Sequence, residues 1–100
     1  MDDPDAPSGT FTHWLGWGLK PSSRGLAAGA HPPREGTASF GRVGYGGPCP
    51  PSGKPHRYFF RLYALRAPLP LQPGADLAAF EAALEGRVIR TAVLVGRYGR

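Results

Sequence analysis

The run from Gly41 to Tyr58 holds five glycines and four prolines. Glycine takes positive φ and lets backbone come close to a neighbour. Proline fixes φ and carries no amide hydrogen. A segment built from both is stiff and shaped, yet it forms neither helix nor inner strand. It leads straight into His56-Arg57-Tyr58-Phe59-Phe60, which reads as the start of a strand. A rigid loop that delivers a histidine and a tyrosine to a strand end points to the rim of a pocket, with the rest of the chain supplying the other walls.

One hundred residues allow a single domain with a thin margin of burial. The 15 glycines and 12 prolines point to many turns and few long helices. No apolar run approaches the roughly 20 residues of a membrane-spanning helix. The acidic start, Met1-Asp2-Asp3-Pro4-Asp5, lacks the apolar core of a signal peptide. The single cysteine forbids an internal disulfide and favours a reducing compartment, the cytoplasm. The net charge is +5, but the arginines at 24, 34, 42, 57, 61, 66, 87, 90, 97 and 100 form no dense run. A solvated basic surface is favoured over nucleic-acid binding.

In chain order, Asp2 to Gly9 reads as a stiff loop presenting carboxylates. Thr10 to Leu19 reads as an inner strand, with Phe11, His13, Leu15, Trp17 and Leu19 on one face. Lys20 to Ser39 lacks periodicity; Leu26 is expected to tack it to the core and His31 to be exposed. Lys54 to Arg66 reads as a second strand, with His56, Tyr58, Phe60, Leu62 and Ala64 on its buried face and arginine stems covering aromatic surface on the other. Asp76 caps a helix over Leu77 to Glu85, with Leu77, Phe80 and Leu84 as its apolar stripe and Gly86 ending it. Thr91 to Tyr98 reads as a last strand. The expected fold is mainly antiparallel β with one or two helices.

The side chains that carry chemistry are Asp3, Asp5, His13, Cys49, His56 and Tyr58. Cys49 sits between two prolines, away from any helix N-terminus that would activate it as a nucleophile. The separation of His13 from His56 matches no compact zinc motif. Anion binding fits better. Gly46, Gly47 and Cys49 offer backbone amides. Both histidines and the Tyr58 hydroxyl can donate to phosphate oxygens, and Asp3 can fix an imidazole tautomer.

Four stretches together resemble the phosphatidylethanolamine-binding protein family, and its bacterial Raf-kinase-inhibitor-like branch most nearly. They are Asp3-Pro4-Asp5-Ala6-Pro7, Thr12-His13-Trp14, Gly44-Tyr45-Gly46-Gly47-Pro48-Cys49-Pro50-Pro51 and His56-Arg57-Tyr58-Phe59-Phe60. The resemblance implies a large antiparallel sheet, a smaller sheet packed on it and peripheral helices. It also implies a small cavity for phosphate-like or phosphoryl head groups. By motif position, Asp3 and His13 line it opposite His56 and Tyr58, Ala6 and Pro7 lie beneath, Phe11 forms a wall, and Gly46, Gly47, Cys49 and Pro50 form the rim. It implies a binding protein without cofactor or metal, not an enzyme. The alternative is an inhibitor or scaffold that binds a protein partner, a kinase or protease, through its surface. Relatives carry several strands before the Asp-Pro-Asp motif, so the expectation here is a partial domain with an incomplete sheet. Its exposed apolar edge would favour association, for example as a homodimer.

Overall fold

The computed structural model describes residues 1–23 and 25–99; Arg24 and Arg100 lie outside them. In chain order its elements are β1 (Asp2–Asp3), β2 (Phe11–Thr12), β3 (Gly16–Trp17), β4 (Arg34–Glu35), β5 (His56–Leu65), α1 (Leu77–Leu84) and β6 (Val88–Tyr98). The first sheet has the order β2-β1-β5-β6, and the second pairs β3 with β4. Every pairing is antiparallel. The fold is thus mainly β with one short helix, as the sequence leads one to expect.

β5 and β6 form the frame. Both are rich in aromatic and β-branched residues, which suit a pleated surface. Their ladder runs from His56 opposite Tyr98 to Leu65 opposite Val88, with an irregularity between Ala64 and Leu65. β6 is three residues longer at its start than expected. The acidic start is not a free loop. Asp2 and Asp3 form β1, in register with Thr12 and Phe11 on one side and with Phe59 on the other. Two β5 arginines offset its crowded charge: Arg61 binds Asp2 at 2.8 Å and Arg57 binds Asp5 at 2.8 Å. Both guanidinium groups also lie over the Phe59 ring.

Three expectations are corrected. The stretch from Thr10 to Leu19 is two short strands in different sheets, not one strand. The chain leaves the first sheet after Thr12 and joins the second at Gly16, where a Cβ would press 2.6 Å from the Pro32 ring. Thr12 pairs with Asp2 in the first sheet, whereas Trp17 pairs with Arg34 in the second. Second, Leu26 is exposed, and the segment after Lys20 is held by β4 instead. Third, the buried face of β5 changes along its length. His56 and Tyr58 are buried, but Phe60 and Leu62 on the same face are exposed. At the far end Tyr63 and Leu65, on the opposite face, pack on the core. Different layers cover the two ends. The loop after Ala38 covers the His56 end on one face, while α1 and Trp17 cover the Leu65 end on the other.

The core is Leu15, Trp17, Leu69, Phe80 and Ala83. The Asp76 carboxylate accepts from the Ala79 amide at 2.9 Å and starts α1. Glu85 is its C-cap, and Gly86 turns the chain at φ +74°. Leu77 is exposed, so the apolar stripe runs through Phe80, Ala83 and Leu84, which packs against the core. The Phe80 ring centroid lies 5.9 Å from Trp17 and 6.5 Å from Tyr63. Removing a ring of this kind costs about 3–5 kcal/mol. The core therefore anchors one end of β5 and leaves the His56 end to build a site.

Candidate functional site

At the His56 end, backbone hydrogen bonds stitch the Gly-rich loop to the β2 segment. Ser39 N–H donates to the Thr12 carbonyl at 2.8 Å, and Thr12 N–H donates to the Ser39 hydroxyl at 2.7 Å. Gly46 N–H donates to the His13 carbonyl at 3.1 Å. A Cβ at Gly46 would overlap the Phe40 ring, so glycine alone allows the loop to lie this close. Between this loop, β1 and β5 lies a hollow of about 340 Å³.

Each side chain in the hollow is set by its own element. β1 supplies Asp3, which is 3% exposed. The turn after it brings Ala6 and Pro7. β2 supplies Phe11, with His13 just beyond. β5 supplies His56 and Tyr58. The loop contributes Gly46, Gly47, Cys49 and Pro50. All eleven residues picked out by the resemblance line this one hollow. Phe40, Arg42 and Pro51 line it as well, which the motifs did not indicate. The sequence signal for Arg42 is its place inside the Gly-rich run. Its guanidinium sits 4.7 Å from the Phe40 ring centroid, and Phe40 stacks on Phe11.

The hydrogen bonds settle both imidazole tautomers. His13 Nδ1 lies 2.8 Å from the Gly46 carbonyl oxygen, which only accepts, so Nδ1 carries the proton. His56 Nδ1 lies 2.7 Å from Asp3 Oδ2 and donates to that carboxylate. Asp3 also accepts from the Asp5 amide at 2.9 Å. Nε2 of each ring is then the nitrogen left for a ligand. The rings flank Tyr58, with centroids 5.5 Å away for His13 and 6.5 Å for His56. The Tyr58 hydroxyl is buried without a hydrogen-bond partner. Burial first, then the charges of Asp3 and Cys49, push its ionisation above the ordinary phenol value. It therefore stays a neutral O–H donor.

Two expectations about the site are corrected. The Gly46 amide is spent on His13 and is not offered to an anion. Asp5 takes no place in the hollow. Hydrogen bonds from Arg57 hold its carboxyl well below the usual carboxylate range. It lines a neighbouring hollow of about 380 Å³ with Ser52 and Lys54, divided from the first by the shared His56 and Pro51. His31 is exposed, bonds Glu35 at 2.8 Å and does not line this hollow. Among the described residues no group of three or more His, Cys, Asp and Glu side chains is arranged to hold a metal ion, and no helix is long and apolar enough to cross a membrane.

A model of the phosphatidylethanolamine-binding protein family matches residues 1–99. A UPF0098 protein of Pyrococcus horikoshii is 45% identical over an alignment taking in 100% of this chain and 55% of its own. The crystal structure of CT736 from Chlamydia trachomatis, a homologue of that family, superposes with a TM-score of 0.92 at 36% identity, covering 99% of this chain and 68% of the other. Escherichia coli YbcL, described as a new member of the mammalian branch, gives 0.87 at 31% identity with the same coverage. A Mycobacterium tuberculosis protein named as a lipoprotein, LppC, is 41% identical over 98% of this chain and 50% of its own. The chain thus spans a little over half the length of the Pyrococcus relative.

Proposed function

The chain belongs to the phosphatidylethanolamine-binding protein family, and we propose that it binds a small phosphate-like or phosphoryl head-group anion, without catalysis, in the hollow between His13, His56 and Tyr58. The observation that carries this is the buried Tyr58 hydroxyl with no partner. A buried unsatisfied hydroxyl costs about 1–3 kcal/mol, and a ligand oxygen accepting from it relieves that cost. The hollow is at the small end of the roughly 300–1,000 Å³ typical of small-molecule sites. That size suits a phosphoryl group with a short substituent better than a large organic ligand.

Charge supports the same reading. Arg42 stands at the rim, and each imidazole Nε2 becomes a donor once the ring is protonated. Calorimetric titration with inorganic phosphate and with phosphoethanolamine tests this, with His13→Ala and His56→Ala as controls. The reading expects millimolar or tighter binding that either substitution weakens. Heats equal to dilution throughout that range refute it.

A second reading rests on the uncovered β5–β6 face, where Leu62 is 63% and Leu94 69% exposed. An exposed apolar strand face edged by Arg90 suits an inhibitor or scaffold that docks a protein partner. A His56→Ala chain that keeps such a partner supports this surface role, and one that loses it ties the partner to the hollow. The exposed thiol of Cys49 supports a cytoplasmic setting, although membership of the family does not fix a compartment, since LppC is named as a lipoprotein.

A further inference from the structure

Nothing in anion binding calls for a thiol, yet Cys49 lines the hollow and is exposed. Pro48 and Pro50 flank it and restrict the backbone on both sides, so a stiff segment presents the side chain. Pro50 is itself buried. Tyr58 lines the same hollow at 2% exposure, and its buried hydroxyl lacks the acceptor that a ligand oxygen would supply. Cys49 is close enough to Tyr58 for its charge to act on the phenol. A group attached to the Cys49 sulfur therefore starts at the mouth of the space that the anion needs.

We propose that Cys49 is a modification site that closes the anion hollow, through reaction of its thiol with a small disulfide. This rests on the anion reading above. The step is thiol–disulfide exchange. The thiol proton leaves to solvent, and the Cys49 thiolate attacks one sulfur of the disulfide. A new S–S bond forms at Cys49 as the old one breaks, and the other half departs as a thiolate. Cys49 is oxidised and the departing sulfur is reduced, so electrons balance. The attached group competes with the anion as a tethered ligand, and a thiol reductant reverses the change. Coupling runs both ways: a bound anion blocks the mouth and slows the exchange.

The test uses the whole chain with hydroxyethyl disulfide, whose adduct is uncharged, so that any effect is steric. Intact mass follows adduct formation, and calorimetry measures inorganic phosphate affinity before modification, after it, and after reduction. If the attached group fills space that the anion needs, affinity for phosphate should fall about tenfold or more on modification, a change of about 1.4 kcal/mol, and return on reduction. Saturating phosphate should slow adduct formation severalfold. The proposal is overturned if no adduct forms, if phosphate leaves its rate unchanged, or if the modified chain binds phosphate as before. Affinity lost together with the near-ultraviolet circular dichroism signal also overturns it, because the fold and not the mouth would then have changed. A reduced chain that binds no phosphate refutes the anion reading and takes the switch with it. Equal binding by both forms refutes the switch alone.

Discussion

Tyr58→Phe should move stability and binding in opposite directions. The substitution deletes one oxygen and nothing else. In the protein without ligand that oxygen is buried and makes no hydrogen bond, so its loss removes a desolvation cost of about 1–3 kcal/mol. For a domain of this size each kcal/mol raises the unfolding midpoint by about 4–8 °C. The ring remains, so its contacts with His13 and His56 persist. With an anion bound, the same oxygen donates to a charged acceptor, a bond worth about 1.5–3 kcal/mol. Its loss should weaken phosphate binding about 10- to 100-fold. Thermal unfolding with and without inorganic phosphate reads both effects at once. The variant should melt higher in plain buffer and gain far less from added phosphate. A variant that melts lower than the parent without phosphate, or gains as much from it, refutes the reasoning.

Asp3→Asn should destabilise the protein by about 1.5–3 kcal/mol, because the buried carboxylate accepts from both His56 Nδ1 and the Asp5 amide; urea unfolding checks it. Asp5 titrates lower in the folded chain than unfolded, so its pairing with Arg57 adds stability above pH about 4 that is lost as pH falls below it. The stability gap between the parent and Asp5→Asn should therefore be smaller at pH 3 than at pH 7. Gly46→Ala should push the Phe40 ring out of the wall and weaken phosphate binding while the Trp17–Phe80 core, on the far end of β5, keeps its near-ultraviolet signature. Leu62→Lys and Leu94→Lys, on the uncovered sheet face, should reduce concentration-dependent association in sedimentation experiments.

The parts legible in the sequence were those fixed by local chemistry. Alternation and β-branched content marked β5 and β6, and Asp76 marked the start of α1. The Gly/Pro run marked a stiff loop beside His56. What alternation could not show was where each layer ends. His56 and Phe60 share a face of β5, yet one is buried and the other exposed, because the Gly-rich loop packs over the His56 end of the strand. The break in the Thr10–Leu19 stretch was hidden for a similar reason. Phe11 and Trp17 both favour strands, and only tertiary pairing assigns them to different sheets. In the hollow, Asp3 and His56 are 53 residues apart in the chain, and no local pattern joins them. The family motifs placed them together by analogy. Arg42 and Phe40 fall outside those motifs and emerged only from the fold.

The central claim is that two imidazoles and one phenol take hold of the same anion. Nitrogen-detected NMR of the three histidines during an inorganic phosphate titration tests it most directly. The account predicts that Nε2 of His13 and of His56 shift together along one binding curve, while His31 stays still. Signals of His13 and His56 that do not move, or that move no more than those of His31, would contradict it.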